Sequence, residues 1–380
     1  MPPSKMTPGP VGGAGGLLTI DLAAIAANWK MLQAKLGTGV TCGAVVKADA
    51  YGLGLAPVAR ALKEAGCATF FVAQAAEGLA LRAILPESEI YIFNGVDSES
   101  AGALAEAHLT PVLNHPGQIK DWREAAARVG HELPAFLHVD TGMTRLGLAE
   151  DETVALATDP GALGGLRLTG IMSHLACADQ PGHALNGDQL ERFTTALSVL
   201  APLGQVRASL TNSSGIFLDP AFHFDLARPG AALYGITPQA DGPNPMAQVV
   251  KLQGKILQTR VIDTPRTVGY GATHRAERGR HIATVAVGYA DGYLRSLSDV
   301  ATAHMGDIPA PVVGRVSMDL ITVDVTDIPP KDAHPGALVD LIGPHHSVDA
   351  LARQAGTIGY EILTMLGGRF ERHYLGEQRP

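Results

Sequence analysis

From about Leu17 to Leu233, short apolar runs recur along the chain, each followed by a longer stretch in which apolar positions return every three to four residues. The short runs are Thr41 to Val46, Thr69 to Ala73, Ile90 to Phe93, Thr110 to Leu113, Ala135 to Val139, Leu166 to Met172 and Val206 to Leu210. Their length and β-type composition predict strands. The stretches between them, such as Ala23 to Lys35, Ala75 to Leu85, Pro116 to Val129 and Gly187 to Leu200, predict amphipathic helices. Strict alternation of this kind means βαβ units and a parallel sheet. So many units over roughly 220 residues have the size of a closed (β/α)8 barrel of the TIM type. A doubly wound open α/β sheet is the alternative, although no Gly-x-Gly-x-x-Gly turn follows the first strand.

After Tyr234 the texture changes. The segment from Thr237 to Pro245, rich in Pro, Gly and Asp, reads as a linker. Beyond it, Ile282 to Val287, Pro311 to Val316, Leu320 to Val325 and Ala337 to Ile342 are apolar runs separated by turns, and they predict a mainly β domain with a helical patch from Val348 to Leu366. The expected organisation is a flexible leader over 1–16, a barrel over 17–236 and a mainly β domain over 237–380.

Composition narrows the possible partners. A chain of 380 residues, 46% hydrophobic, can bury two cores. A net charge of -8 with scattered Lys and Arg argues against nucleic acid, which needs a concentrated basic face. No run has the length of a transmembrane helix, and the leader has no continuous apolar segment, so a cytoplasmic location is expected. Cys42, Cys67 and Cys177 form no Cys-x-x-Cys pair and read as reduced and structural. His345 and His346 follow Gly343-Pro344 without a Cys or carboxylate at ligand spacing, so no metal site is expected.

The stretch from Ala44 to Gly52 places Lys47 where an apolar strand ends and a glycine-containing turn begins. A desolvated lysine amine can be neutral near pH 7 and form a Schiff base with pyridoxal phosphate. A surface lysine after an edge strand is the competing reading. Other predicted strand ends are also polar: Asp140 to Arg145, Ser173-His174, Asn212 to Ser214, and Arg228 to Gly230. Each alone has a plain reading as a turn, a core histidine, a helix cap or a salt-bridged arginine. Together they collect at the carboxyl end of the predicted barrel, where such folds carry their chemistry.

With these residues in view the chain resembles the alanine racemases, pyridoxal-phosphate enzymes built from a barrel and a β domain. The resemblance runs from about Leu17 to Tyr374. It is carried by the lysine motif Ala44 to Gly54, Val139 to Gly147, Thr211 to Ser214, Ala227 to Gly230, Val268 to Thr273, Gly288 to Tyr293, Gly314 to Asp319 and Ile358 to Glu361. Several ordered motifs in both domains are far more specific than any one of them.

The resemblance implies a homodimer that interconverts L-alanine and D-alanine, for cell-wall peptidoglycan or for D-alanine catabolism. Racemisation removes the α-proton from one face and returns one to the other, so it calls for a base on each face. By resemblance Lys47 serves the D-alanine face and Tyr270, from the other subunit, the L-alanine face. His174 and Arg228 stand behind the tyrosine, and Arg228 also faces the pyridine nitrogen, where a cation opposes ring protonation. Tyr51, Ser213, Tyr360 and the Gly230 amide match the phosphate site. Arg145 and the Met318 amide match the substrate carboxylate site, and Tyr289, Arg295, Arg315 and Asp179 match a narrow access channel.

Three positions depart from the family pattern. His138 stands where many members have a carbamylated lysine, Met172 where a tyrosine is common, and Leu53 where a histidine is common. Competing functions are a racemase of broader range, a barrel-fold pyridoxal decarboxylase, which would favour an acid where Arg228 stands, and a non-enzymatic pyridoxal-phosphate carrier. Such carriers are single barrels, so Tyr270 and the second domain count against that reading.

Overall fold

The computed structural model describes residues 15–159 and 161–376. It divides into two compact units: Ile25–Ala247, and a second built from the segment ending at Ala24 together with the segment beginning at Gln248.

In the first unit, Ala44–Val45, Thr69–Val72, Glu89–Ile92, Thr110–Leu113, Leu133–His138, Leu166–Met172 and Arg207–Ser209 pair in parallel in that order. An eighth strand, Leu226–Ala227, closes the ring. It pairs in parallel with Thr41–Cys42, just ahead of the first strand. On its other side, Asp225 N–H donates to the Ala208 carbonyl and Arg228 N–H to the Thr211 carbonyl, each at 3.0 Å. The expected eight-stranded barrel is therefore present. Its strands are apolar without alternation because both faces are covered; all four residues of Thr69–Val72 are buried.

The outer helices have sharp ends. Pro116–Val129 starts with proline, whose missing N–H is no loss in a first turn, and stops at Gly130, whose φ of +76° favours glycine. It buries Ile119, Trp122, Ala125 and Ala126, and Trp122 Nε1 donates to the Pro134 carbonyl at 2.9 Å.

The second unit centres on the long strand Val250–Val261, flanked by Gly16–Asp21, Leu338–Ile342 and His281–Val285. Glu371–Leu375 pairs with Gly16–Asp21 in parallel. The sequence pattern starts the barrel at residue 17, yet Gly16–Asp21 hydrogen-bonds within this β-rich unit. Its alternating burial, with Leu18 and Ile20 inside, is the pattern of a sheet with one covered face. Residues 1–14 of the expected leader lie outside the described residues.

Two further expectations change in detail. The run read as a strand from Pro311 to Val316 is a strand only at its start, Ile308–Pro311, because Gly314 at φ +76° turns the chain away. The helical patch is two helices, Val348–Ala355 and Gly359–Met365, the first ended by Gly356 at φ +73°.

Candidate active site

Lys47 follows the strand Ala44–Val45 after one residue, Val46, and the next four residues, Ala48, Asp49, Ala50 and Tyr51, have φ of 54, 56, 54 and 57°. The left-handed region costs a residue with a Cβ about 1–2 kcal/mol, so four in a row must be held in place. Ala50 N–H donates to the Val46 carbonyl at 3.0 Å and Gly52 N–H to Ala48 at 2.8 Å. Asp49 Oδ1 accepts Leu55 N–H at 2.7 Å, and Glu77 Oε1 accepts Ala48 N–H at 2.6 Å. Lys47 is half-buried. Burial first, and Arg145 second, pull its ammonium below the usual lysine range, while the Glu77 carboxylate partly restores it.

Arg228 is 2% exposed at the end of the eighth strand. Its Nη1 donates to Ser209 Oγ, and its Nη2 donates to the carbonyls of Ser173 at 2.5 Å and Leu210 at 3.3 Å. Its Nε–H is buried without a partner among the described residues. Burial pulls the guanidinium pKa down to about 9, which leaves it cationic at neutral pH. His174 is held neutral: burial pushes its pKa well below the usual value, and Arg228, Arg145, His138 and Lys47 push the same way.

His138 is buried at the end of the fifth strand, and its pKa is lowered to about 4, chiefly by burial and next by Arg228. Its Nδ1 lies 2.8 Å from Asn114 Oδ1. Asn114 Nδ2 already donates to the carbonyls of Phe93 and Val112, at 3.0 and 2.9 Å, so Oδ1 can only accept. The ring proton is thus on Nδ1, and Nε2 carries the lone pair. Arg145 is exposed on the loop over residues 140–147. Asp140 Oδ1 shapes that loop by accepting the N–H groups of Gly142, Met143 and Thr144 at 2.9, 3.0 and 3.1 Å.

Ser213 Oγ accepts Gly230 N–H at 2.9 Å and Ala232 N–H at 3.2 Å, which leaves its own proton free to donate outward. The Gly230 amide, expected to face the phosphate, is engaged by this serine. A Cβ on Gly230 would lie 2.3 Å from the Tyr51 hydroxyl, so glycine is what lets that hydroxyl approach. Tyr51 packs on Tyr234 with ring centroids 4.6 Å apart, and Tyr234 donates to the Val45 carbonyl at 2.9 Å. Asp179 is exposed, and its carbonyl accepts Ala240 N–H at 2.8 Å. Met172 is buried.

The remaining sequence-derived candidates belong to the other unit. Tyr270 is 72% exposed on a turn between Gly269 and Gly271, both at positive φ, and the Arg315 side chain packs against Gly271. Tyr289 N–H donates to the Ser317 carbonyl at 3.0 Å and Ala290 N–H to Met318 at 2.9 Å, which joins the Tyr289 and Met318 loops. Arg295 is exposed in the short turn Arg295–Leu297, and Tyr360 is exposed in the first turn of Gly359–Met365.

Sequence reasoning missed Glu77 and Asn114. Glu77 had a signal in its capping-box spacing from Gln74, and Asn114 had one as a polar residue closing an apolar strand. His345 also has the carboxylate the sequence did not suggest, with Asp307 Oδ1 2.9 Å from its Nε2. A cavity of about 890 Å³ opens at the opposite, amino ends of the barrel strands, beside Glu89, Tyr91 and Arg207. The chemistry-bearing groups are at the carboxyl ends.

Residues 20–238 match the family model described as the alanine racemase N-terminal domain, and residues 249–374 match the alanine racemase C-terminal domain. The alanine racemase of Rhodospirillum rubrum is 53% identical over 364 residues, covering 96% of each chain. A Mesorhizobium japonicum protein named catabolic alanine racemase is 50% identical over 364 residues, covering 96% of this chain and 94% of its own. Among solved structures, the Bartonella henselae alanine racemase with covalently bound pyridoxal phosphate matches at TM-score 0.90 and 40% identity, over 96% of this chain and 100% of that one. The alanine racemase of Streptomyces lavendulae matches at 0.91 and 30%, over 96% and 98%.

Proposed function

The chain belongs to the alanine racemase family, and we propose that it interconverts L-alanine and D-alanine with pyridoxal phosphate held on Lys47. The observation that carries this reading is the buried, unpartnered Nε–H of Arg228. An orphaned charged donor is costly, and a pyridine nitrogen lone pair satisfies it. The free proton of Ser213 and the approach of the Tyr51 hydroxyl over Gly230 suit a phosphate. The residues present therefore fit the cofactor.

When bound, the cofactor withdraws electrons from the substrate α-carbon and makes its proton acidic. Arg228 keeps the ring nitrogen from gaining a proton. The Lys47 amine, its pKa lowered by burial, moves the proton on the D-alanine face. The partner's Tyr270 moves it on the other face. A phenol is a weak base at neutral pH; neutral His174 gives its hydroxyl a hydrogen-bond partner without adding charge. Arg145 and the Met318 amide hold the carboxylate. Tyr289, Arg295, Arg315 and Asp179 narrow the approach, and Tyr360 completes the phosphate site.

A second copy of the chain is the partner that suits this arrangement. Tyr270, Tyr289, Met318, Leu320, Tyr360 and Met365 all expose large apolar side chains on one unit, surface that a partner chain would cover. No helix among the described residues is long and apolar enough to cross a membrane. A cytoplasmic homodimer that supplies D-alanine for peptidoglycan, or consumes it, is the proposed setting. Borohydride reduction and peptide mapping should place the reduced cofactor on Lys47. Its recovery on another lysine would sink the assignment.

A further inference from the structure

Glu77 sits in the first turn of the helix Ala75–Ile84, where a glutamate usually does no more than cap its own helix. Its Oε2 fills that role, accepting the N–H groups of Ala73 at 2.8 Å and Gln74 at 3.1 Å. Its Oε1 does something else. It reaches 29 residues back in the chain to accept Ala48 N–H at 2.6 Å, the shortest of the three bonds. Ala48 follows Lys47 and opens the run of four left-handed residues. Within that run the carbonyls of Ala48, Asp49 and Ala50 accept N–H groups from residues 52–54, so the turn is tied to the residues just after it. Glu77 ties its first amide to a different βα unit.

We propose that Glu77 is a positioning residue for Lys47, its carboxylate joining the left-handed turn to the amino end of the neighbouring helix so that lysine, turn and helix hold one register. The consequence extends to Tyr51, the last residue of the turn, whose hydroxyl meets Gly230. One carboxylate thereby sets the direction of the lysine and the place of a phosphate-facing hydroxyl. This inference rests on the assignment of Lys47 above.

Shortening the side chain separates the two roles. Glu77→Asp is one methylene shorter, by ~1.5 Å; aspartate keeps a negative charge in the first turn, which favours the helix, but cannot reach Ala48. In the holoenzyme, hydrogen exchange read by mass spectrometry should speed up about tenfold in peptides covering residues 48–54 and stay near wild type in residues 75–84. The kcat for alanine should fall about tenfold with KM within about twofold, because the lysine is misdirected while the carboxylate site is untouched. Glu77→Gln keeps one acceptor oxygen and should fall between Glu77→Asp and wild type. If Glu77→Ala does not fold, Glu77→Asp still decides. Wild-type exchange at 48–54 in Glu77→Asp, or a change confined to 75–84, would reduce Glu77 to a helix cap. Should Lys47 prove not to carry the cofactor, peptide mapping would reveal that separately while the exchange result stood.

Discussion

Acid should destabilise the barrel through His138, and removing its imidazole should remove much of that sensitivity. The ring is buried, donates from Nδ1 to Asn114, and its pKa is lowered from 6.5 to about 4. The unfolded chain therefore binds a proton at a higher pH than the folded one does. Stability from this group is fully present above pH 6.5 and is lost as pH falls toward about 4. At 1.36 kcal/mol per unit, the loss between pH 7 and pH 4.5 comes to about 2.5 kcal/mol. His174, lowered for the same reason, acts in the same direction. His138→Gln retains an N–H for Asn114 but cannot titrate. Urea unfolding can be followed selectively, because the only two tryptophans, Trp29 and Trp122, are both buried in the barrel unit. Between pH 7 and pH 4.5 wild type should lose about 2–3 kcal/mol more than His138→Gln. A difference below about 0.5 kcal/mol would refute the buried neutral imidazole.

Other expectations rest on individual side chains. Arg207 on the seventh strand bridges Glu89 on the third across the amino end of the barrel, but their side chains are 32% and 50% exposed. Because Arg207 also donates to the hydroxyl of buried Tyr91, Arg207→Ala should cost about 1–2 kcal/mol in urea unfolding and leave racemisation near wild type; a loss of several kcal/mol would show that these contacts matter far more. Arg228→Glu should cut racemisation severely and raise pyruvate formation, measured together on L-alanine; unchanged rates for both would remove its proposed role. Inactive Lys47→Ala and Tyr270→Phe chains, refolded together, should regain roughly a quarter of wild-type activity if two-fold dimers share their sites at random. Heterodimers as inactive as either parent would place both bases in one chain.

The barrel was legible because strands covered on both faces leave unbroken apolar runs, and the polar residues that end those runs, Lys47, Asp140, His174, Ser213 and Arg228, mark its carboxyl rim. Other features were hidden for physical reasons. Gly16–Asp21 alternates as a half-buried strand should, but its partners lie more than 220 residues further on, and no local pattern names them. The left-handed run holds Ala-Asp-Ala-Tyr rather than glycine, so turn chemistry gives no warning. The spacing of Glu77 from Gln74 signals only a cap, and its reach to Ala48 exists only once two βα units stand side by side. His138 could be seen to replace a lysine, but its tautomer is set by Asn114, 24 residues earlier.

The most direct test of the central claim is chiral chromatography of alanine after incubation of the purified protein with L-alanine in deuterated water, beside a panel of larger L-amino acids. L-alanine should end as an equal mixture of enantiomers with deuterium at the α-carbon of the D-product, and the larger substrates should turn over far more slowly. Alanine that remains wholly L and unlabelled, or that loses its carboxyl group instead, would contradict the account.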